Sequence, residues 1–213
     1  AERIHTTFET RTAVRDRMLA QARTLTRHCA NAIRAAHREE RQEASIQLAA
    51  ASQLAQGFRA LITQYPDLYY AGYTQDALKE YAEANIVYAL LDGPHLPSPE
   101  DLGLEASTYL QGLAETVGEL RRRSLDVLLK GDFIEAQRLL GYMDNIYDVL
   151  VTMDYPDAIT GGLRRLTDIA RSIIERTRGD LTLSLRQDSL EKTMRKLEDR
   201  LGATTPQGDA PSR

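Results

Sequence analysis

Apolar residues recur at three- and four-residue steps along almost the whole chain, and strand-like alternation is nearly absent. That pattern restricts the fold to helices packed on helices. The stripe Val14, Met18, Ala22, Leu25, Cys29 and Ile33 marks a first helix over about residues 8–38. A second stripe, Ile46, Ala50, Leu54, Phe58 and Leu61, marks another over 41–65, closed by Pro66. One long helix or a bent pair would satisfy both stripes. Thr74 is placed to N-cap a helix running through Leu91, which Gly93 and Pro94 end. Another spans 105–130 and stops at Gly131; the next, 133–153, is capped by Asp132. Two more, 160–178 and 180–201, are hinged at Gly179, and residues 202–213 read as a disordered tail. The expectation is an all-α bundle of seven helices, one domain over 1–201.

Hydrophobic residues make up 42% of the 213, enough for a sizeable core and too many for wholesale disorder. No run approaches the roughly 18 apolar residues of a membrane span, and the N-terminus lacks a signal-peptide layout, which points to a soluble, cytoplasmic protein. A single cysteine, Cys29, excludes an intrachain disulfide and a Cys-rich zinc site; on its apolar stripe it reads as a packed core thiol. His28 and His37 read as structural, although His37-Arg38 at a helix end could meet a phosphate. The net charge of −4 is unlike that of a generic nucleic-acid coater but leaves room for a local basic surface. Arg164, Asp168, Arg171, Glu175 and Arg178 share one helical face, as a self-paired ladder or as an arginine row facing RNA or a partner subunit.

The chemistry lies in the acids. Glu80 and Glu83 fall about 60° apart on a helix, on the side that carries Val87, Leu90 and Leu91. Carboxylates on an apolar stripe are expensive to bury unless a divalent metal, an arginine or a shared proton compensates them. A snorkelling or subunit-paired glutamate is the plainer reading. Glu115 and Glu119 stack four apart but point away from the stripe of Tyr109, Leu110, Leu113, Val117 and Leu120, as surface acids do. Arg122 lies on their side and could neutralise Glu119. Gly112 and Gly118 flank the pair and permit a close approach by a neighbouring helix or a phosphodiester. Two glutamate pairs on separate helices suggest oxygen ligands for Mg²⁺ or Mn²⁺. A di-iron bundle would need a His three residues after Glu80 or Glu115, and neither has one.

The segment Glu80-Tyr81-Ala82-Glu83-Ala84, with Tyr109-Leu110-Gln111-Gly112-Leu113-Ala114-Glu115-Thr116-Val117-Gly118-Glu119-Leu120 some thirty residues on, resembles the translin/TRAX family, most of all its TRAX-like prokaryotic members. The similarity covers about residues 8–200 and includes the basic stretch from Gly162 to Asp180. It implies a seven-helix fold, assembly into a hollow octamer-like barrel, and binding of single-stranded RNA or DNA on the inner surface. It also implies an Mg²⁺-dependent endoribonuclease whose catalytic and metal-binding acids fall on Glu80, Glu83, Glu115 and Glu119. Two positions depart from the family: Glu115 stands where TRAX has Asp, and no basic residue follows Tyr69-Tyr70, where translin carries a basic stretch. RNA contact then falls to Arg34, Arg38, Arg164, Arg165 and Arg171. The alternatives are a non-catalytic single-stranded RNA/DNA-binding oligomer of translin type and a helical interaction protein with no nucleic-acid role.

Overall fold

The computed structural model describes residues 1–92 and 95–203, with side chains through residue 200. Its elements are α1 (Glu2–His37), α2 (Arg41–Arg59), α3 (Pro66–Tyr69), α4 (Gly72–Asp92), α5 (Pro99–Leu102), α6 (Ala106–Leu129), α7 (Phe133–Thr152), α8 (Asp157–Thr160) and α9 (Leu163–Ala203). No strand occurs among the described residues, so the all-α expectation holds. Among the described residues, six long helices and three single turns stand where seven helices are expected.

Two differences account for that count. The hinge expected at Gly179 is absent, because α9 continues through it. A helical glycine costs about 1 kcal/mol relative to alanine, but Ile174, Thr177 and Leu181 are buried at steps of three and four across that point. Arg121 of α6 also bridges it, donating to Thr177 Oγ1 at 3.0 Å and pairing with Asp180 at 2.9 Å. Likewise α9 starts at Leu163, not Thr160, after Gly161 and Gly162 turn the chain at φ 62° and 85°. The helix stop assigned to Gly93 and Pro94 lies outside the described residues, as do residues 204–213 of the expected tail; 202 and 203 belong to α9.

The first two segments are separate helices. Glu39 turns the chain at φ 63°, a left-handed conformation that costs a residue with a side chain about 1–2 kcal/mol. Arg123 of α6 compensates it, pairing with Glu39 at 2.5 Å and donating to the last carbonyl of α1, that of His37, at 3.1 Å. On α2 the expected stripe is rotated: Ala44, Leu48, Ala51, Ala55 and Phe58 are buried, while Ile46 is 55% exposed. Alanines let α2 approach its neighbours closely, and that contact outweighs burial of one isoleucine. This helix ends at Arg59, short of Tyr65. Thr74 lies inside α4, not at its cap, and its hydroxyl reaches back to the Leu68 carbonyl at 2.9 Å.

Asp132 caps α7 as its position predicts, its Oδ1 accepting from the Glu135 N–H at 3.0 Å. Asp132→Ala should cost about 1 kcal/mol and lower Tm by about 2–4 °C, read by circular dichroism.

Two hydrophobic cores result. One joins α1, α2 and α4 through Met18, Leu25, Cys29, Phe58, Leu78 and Val87. The other joins α4, α6, α7 and α9 through Ile86, Val117, Leu120, Leu139, Met143 and Leu163. Helix α4 contributes to both and is buried nearly all round, so any polar group on it facing α6 lies between two apolar masses.

Candidate metal centre

At Gly112, α6 approaches α4 more closely than any side chain would permit. A methyl placed there would lie 2.7 Å from both the Ala82 Cβ and the Lys79 carbonyl oxygen, and 3.0 Å from the Glu83 nitrogen. One turn either way along the two helices, this contact converges their acids. A carboxylate oxygen from each of Glu80, Glu83 and Glu115 lies within 4.8 Å of the others. Gly118, by contrast, has open space around it and plays no such part within the chain.

Glu83 is the deepest of the three, 9% exposed, and forms no hydrogen bond or ion pair among the described residues. Burial, then the charges of Glu80, Glu115 and Glu119, push its carboxyl up to about 8. Burial, followed by the charge of Glu115, also raises Glu80. Glu115 is held from α4: the Lys79 ammonium donates to its Oε1 at 2.8 Å. Burial pulls Lys79 down, but that hydrogen bond and the surrounding acids outweigh it and hold the ammonium above the ordinary lysine range. The Cys29 thiol lies close enough to feel Glu80 and Glu83; burial first, then those charges, push it up to about 12, so it stays a protonated core thiol.

Glu119 lies outside the three-carboxylate set. Its Oε2 accepts from the His37 imidazole at 2.6 Å, and Arg122 stands 3.7 Å away, as its place on the helix predicts. The His37 hydrogen bond holds the Glu119 carboxyl below the usual range. His37 itself is 5% exposed on its side chain, and its Nδ1 is buried without a partner among the described residues. Neither Glu115 nor Glu119 is a surface acid: each side chain is only about a quarter exposed, facing α4 and α1.

No protein-family profile matches the chain. An uncharacterized protein of Methanocaldococcus jannaschii, MJ0175, is 29% identical over 188 residues, which cover 87% of this chain and 83% of that one. Among solved structures, AfC3PO in complex with duplex RNA superposes with a TM-score of 0.80 at 32% identity, over 87% of this chain and 96% of that one. The chain belongs to the translin/TRAX (C3PO) family. A crystal structure of AfC3PO gives a TM-score of 0.78 at 30% identity, over 87% and 97%. Apo-NeC3PO, at 21% identity and a TM-score of 0.80 over 86% and 96%, shares the fold.

Of the four acids expected from the translin/TRAX resemblance, the fold therefore brings three together and pairs the fourth with a histidine. The five expected arginines are all exposed. Arg38 directly follows His37 at the end of α1, near Glu119, and Arg34, one turn earlier, donates to Asn31. Arg164, Arg165 and Arg171 lie on α9, which packs on the side of α6 that carries Arg121 rather than the acids. The row on α9 is only partly a self-paired ladder. Arg171 pairs with Glu175 at 3.0 Å, but Arg164 turns to Asp154 at 2.5 Å and Arg178 to Asp144 at 2.7 Å.

Sequence reasoning passes over Lys79 and over the pairing of His37 with Glu119, yet both leave a signal. Lys79 is four residues before Glu83 and so shares its face. His37 is the next step of the stripe Leu25, Cys29, Ile33, which predicts its burial.

Proposed function

We propose that this chain is a divalent-metal-dependent endoribonuclease working within an assembly of its own copies. The observation that carries the reading is Glu83: a carboxylate nine-tenths buried, without a partner among the described residues, and within 4.8 Å of two further acids. A carboxylate so placed stays protonated or takes a compensating cation, and the two neighbouring acids make a divalent ion the fitting one. Three carboxylates are a hard oxygen donor set, which suits Mg²⁺ or Mn²⁺ and not a thiolate- or imidazole-seeking metal. Glu80, Glu83 and Glu115 would hold the ion, which would supply Lewis acidity at the scissile phosphate. His37 orients Glu119 beside that set. Arg38 and Arg34 lead the strand toward it through phosphate contacts that carry no sequence information. Relatives solved as C3PO, one of them with duplex RNA, support RNA as the substrate class.

The test is cleavage of end-labelled RNA by the purified full-length chain with Mg²⁺ or Mn²⁺, on single-stranded and duplex forms in parallel. Cutting abolished by EDTA supports the reading. Salt-sensitive binding with no cutting at any metal concentration overturns it in favour of a non-catalytic RNA-binding oligomer.

Self-association is supported by apolar surface that the chain alone leaves uncovered. Leu183, Leu190, Met194 and Leu197 follow one another at steps of seven, four and three along the overhanging end of α9, each more than half exposed. Leu129, on the same surface as Leu183, is more than four-fifths exposed. Heptad spacing suits a second copy of the same helix, and Arg186 and Glu191, five apart, flank the seam with opposite charges that would meet in a parallel pair. Light scattering should give a mass well above 23.9 kDa, eight chains on the octamer reading. The double change Leu190→Glu and Leu197→Glu should reduce it to smaller species without loss of helix content.

A further inference from the structure

Lys79 is the part of the acid site to which the metal reading gives no task. Its ammonium donates to Glu115 Oε1 at 2.8 Å and is 18% exposed. Its backbone is fixed where α4 touches α6, since its carbonyl oxygen lies against Gly112. The ammonium is thus a built-in cation beside the three carboxylates, held by the same helix contact that brings them together.

Charge counting then gives the lysine a consequence. Ionised, Glu80, Glu83 and Glu115 bring three negative charges, and Lys79 returns one positive charge. Glu119 stands outside the three-carboxylate set, and Arg122, 3.7 Å away, offsets its charge. One divalent ion therefore brings the site to neutrality. A second would leave two positive charges in surroundings where Glu83 is nine-tenths buried, and burial makes an unmatched charge expensive.

Resting on the metal-centre reading above, we infer that Lys79 takes the place of a second metal ion, competing with the first for Glu115 and limiting the site to one divalent cation per chain. An ammonium hydrogen-bonded to a metal ligand is displaced or shared when the ion arrives, which weakens binding. Removing it frees Glu115 and restores the negative charge a second ion needs.

The experiment is calorimetric titration of the full-length chain with MnCl₂, without RNA, for wild type, Lys79→Met, Lys79→Gln and Lys79→Arg. Wild type binds one Mn²⁺ per chain. The two neutral variants bind the first Mn²⁺ about tenfold more tightly and show a second, weaker event. Lys79→Arg, which keeps the charge, stays at one. Unchanged or weaker binding at one per chain in both neutral variants overturns the inference while the metal reading stands. So does a second ion in wild type or in Lys79→Arg. Absence of Mn²⁺ binding in all four proteins overturns the metal reading and this inference with it. Melting curves recorded alongside confirm that each variant is folded.

Discussion

Replacing Glu83 with Gln should make the metal-free protein more stable at alkaline pH while abolishing metal-dependent RNA cleavage. In the folded chain the Glu83 carboxyl titrates at about 8, against 4.5 for an ordinary glutamate. Below the lower value the folded and unfolded chains both carry the proton, so the group has no effect. Between the two values the unfolded chain ionises and the folded one does not, so stability falls as pH rises. Above about 8 the folded chain ionises as well, and the full penalty persists. A shift of this size corresponds to about 5 kcal/mol. Gln is close to isosteric with the protonated form and does not ionise. In EDTA, the Tm of Glu83→Gln and wild type should therefore coincide near pH 4 and diverge in favour of the variant up to pH 9. Mn²⁺ should narrow that gap by stabilising wild type alone. Altering residues that merely support a metal ligand costs 10–100-fold in activity, so loss of a ligand should lower cleavage by at least about a hundredfold. Equal pH profiles for the two proteins would show that Glu83 is not under the electrostatic pressure described.

Gly112→Ala should lose both stability and the site. The added methyl meets backbone, the Lys79 carbonyl oxygen at 2.7 Å and the Glu83 nitrogen at 3.0 Å, and neither can turn aside as a side chain would. Overpacking of this kind costs about 1–3 kcal/mol, and contact with backbone puts it at the upper end. Alanine's better helix propensity returns about 1 kcal/mol. The net effect is a Tm lower by roughly 4–8 °C. The relief available is for α4 and α6 to move apart, which separates Glu80 and Glu83 from Glu115, so Mn²⁺ affinity should fall as well. Gly118→Ala is the control on the same helix. Nothing lies within 4 Å of its new methyl, and the substitution should be neutral or stabilising by up to about 1 kcal/mol, leaving metal binding intact. Equal effects of the two substitutions would remove the close α4–α6 approach as the cause.

Much of this arrangement is legible in the chain itself, for reasons that differ between elements. Helix α1 follows its apolar stripe because one face meets a core and the other meets water, which is the situation periodicity reports. Helix α2 does not: its buried face is built on alanines, which carry little hydrophobic signal, and Ile46 pulls the apparent stripe away from them. The three convergent acids are visible as pairs at helical spacing, but their convergence depends on Gly112, and a glycine in a sequence does not say which neighbour it admits. Glu115 and Glu119 look like surface acids on α6 alone, because the opposite face is the apolar one. Only the placement of α4 and α1 against that second face turns it inward. Gly179 illustrates the reverse error, a local breaker signal overridden by burial of Thr177 and Leu181 and by the reach of Arg121 across the position.

A divalent-metal centre formed by Glu80, Glu83 and Glu115 would be visible by anomalous diffraction from crystals soaked in MnCl₂. The expected result is a Mn²⁺ peak bonded to an oxygen of each of these three glutamates. In crystals of Glu83→Gln the peak is absent. A Mn²⁺ peak elsewhere, or none between these acids at saturating metal, would contradict it.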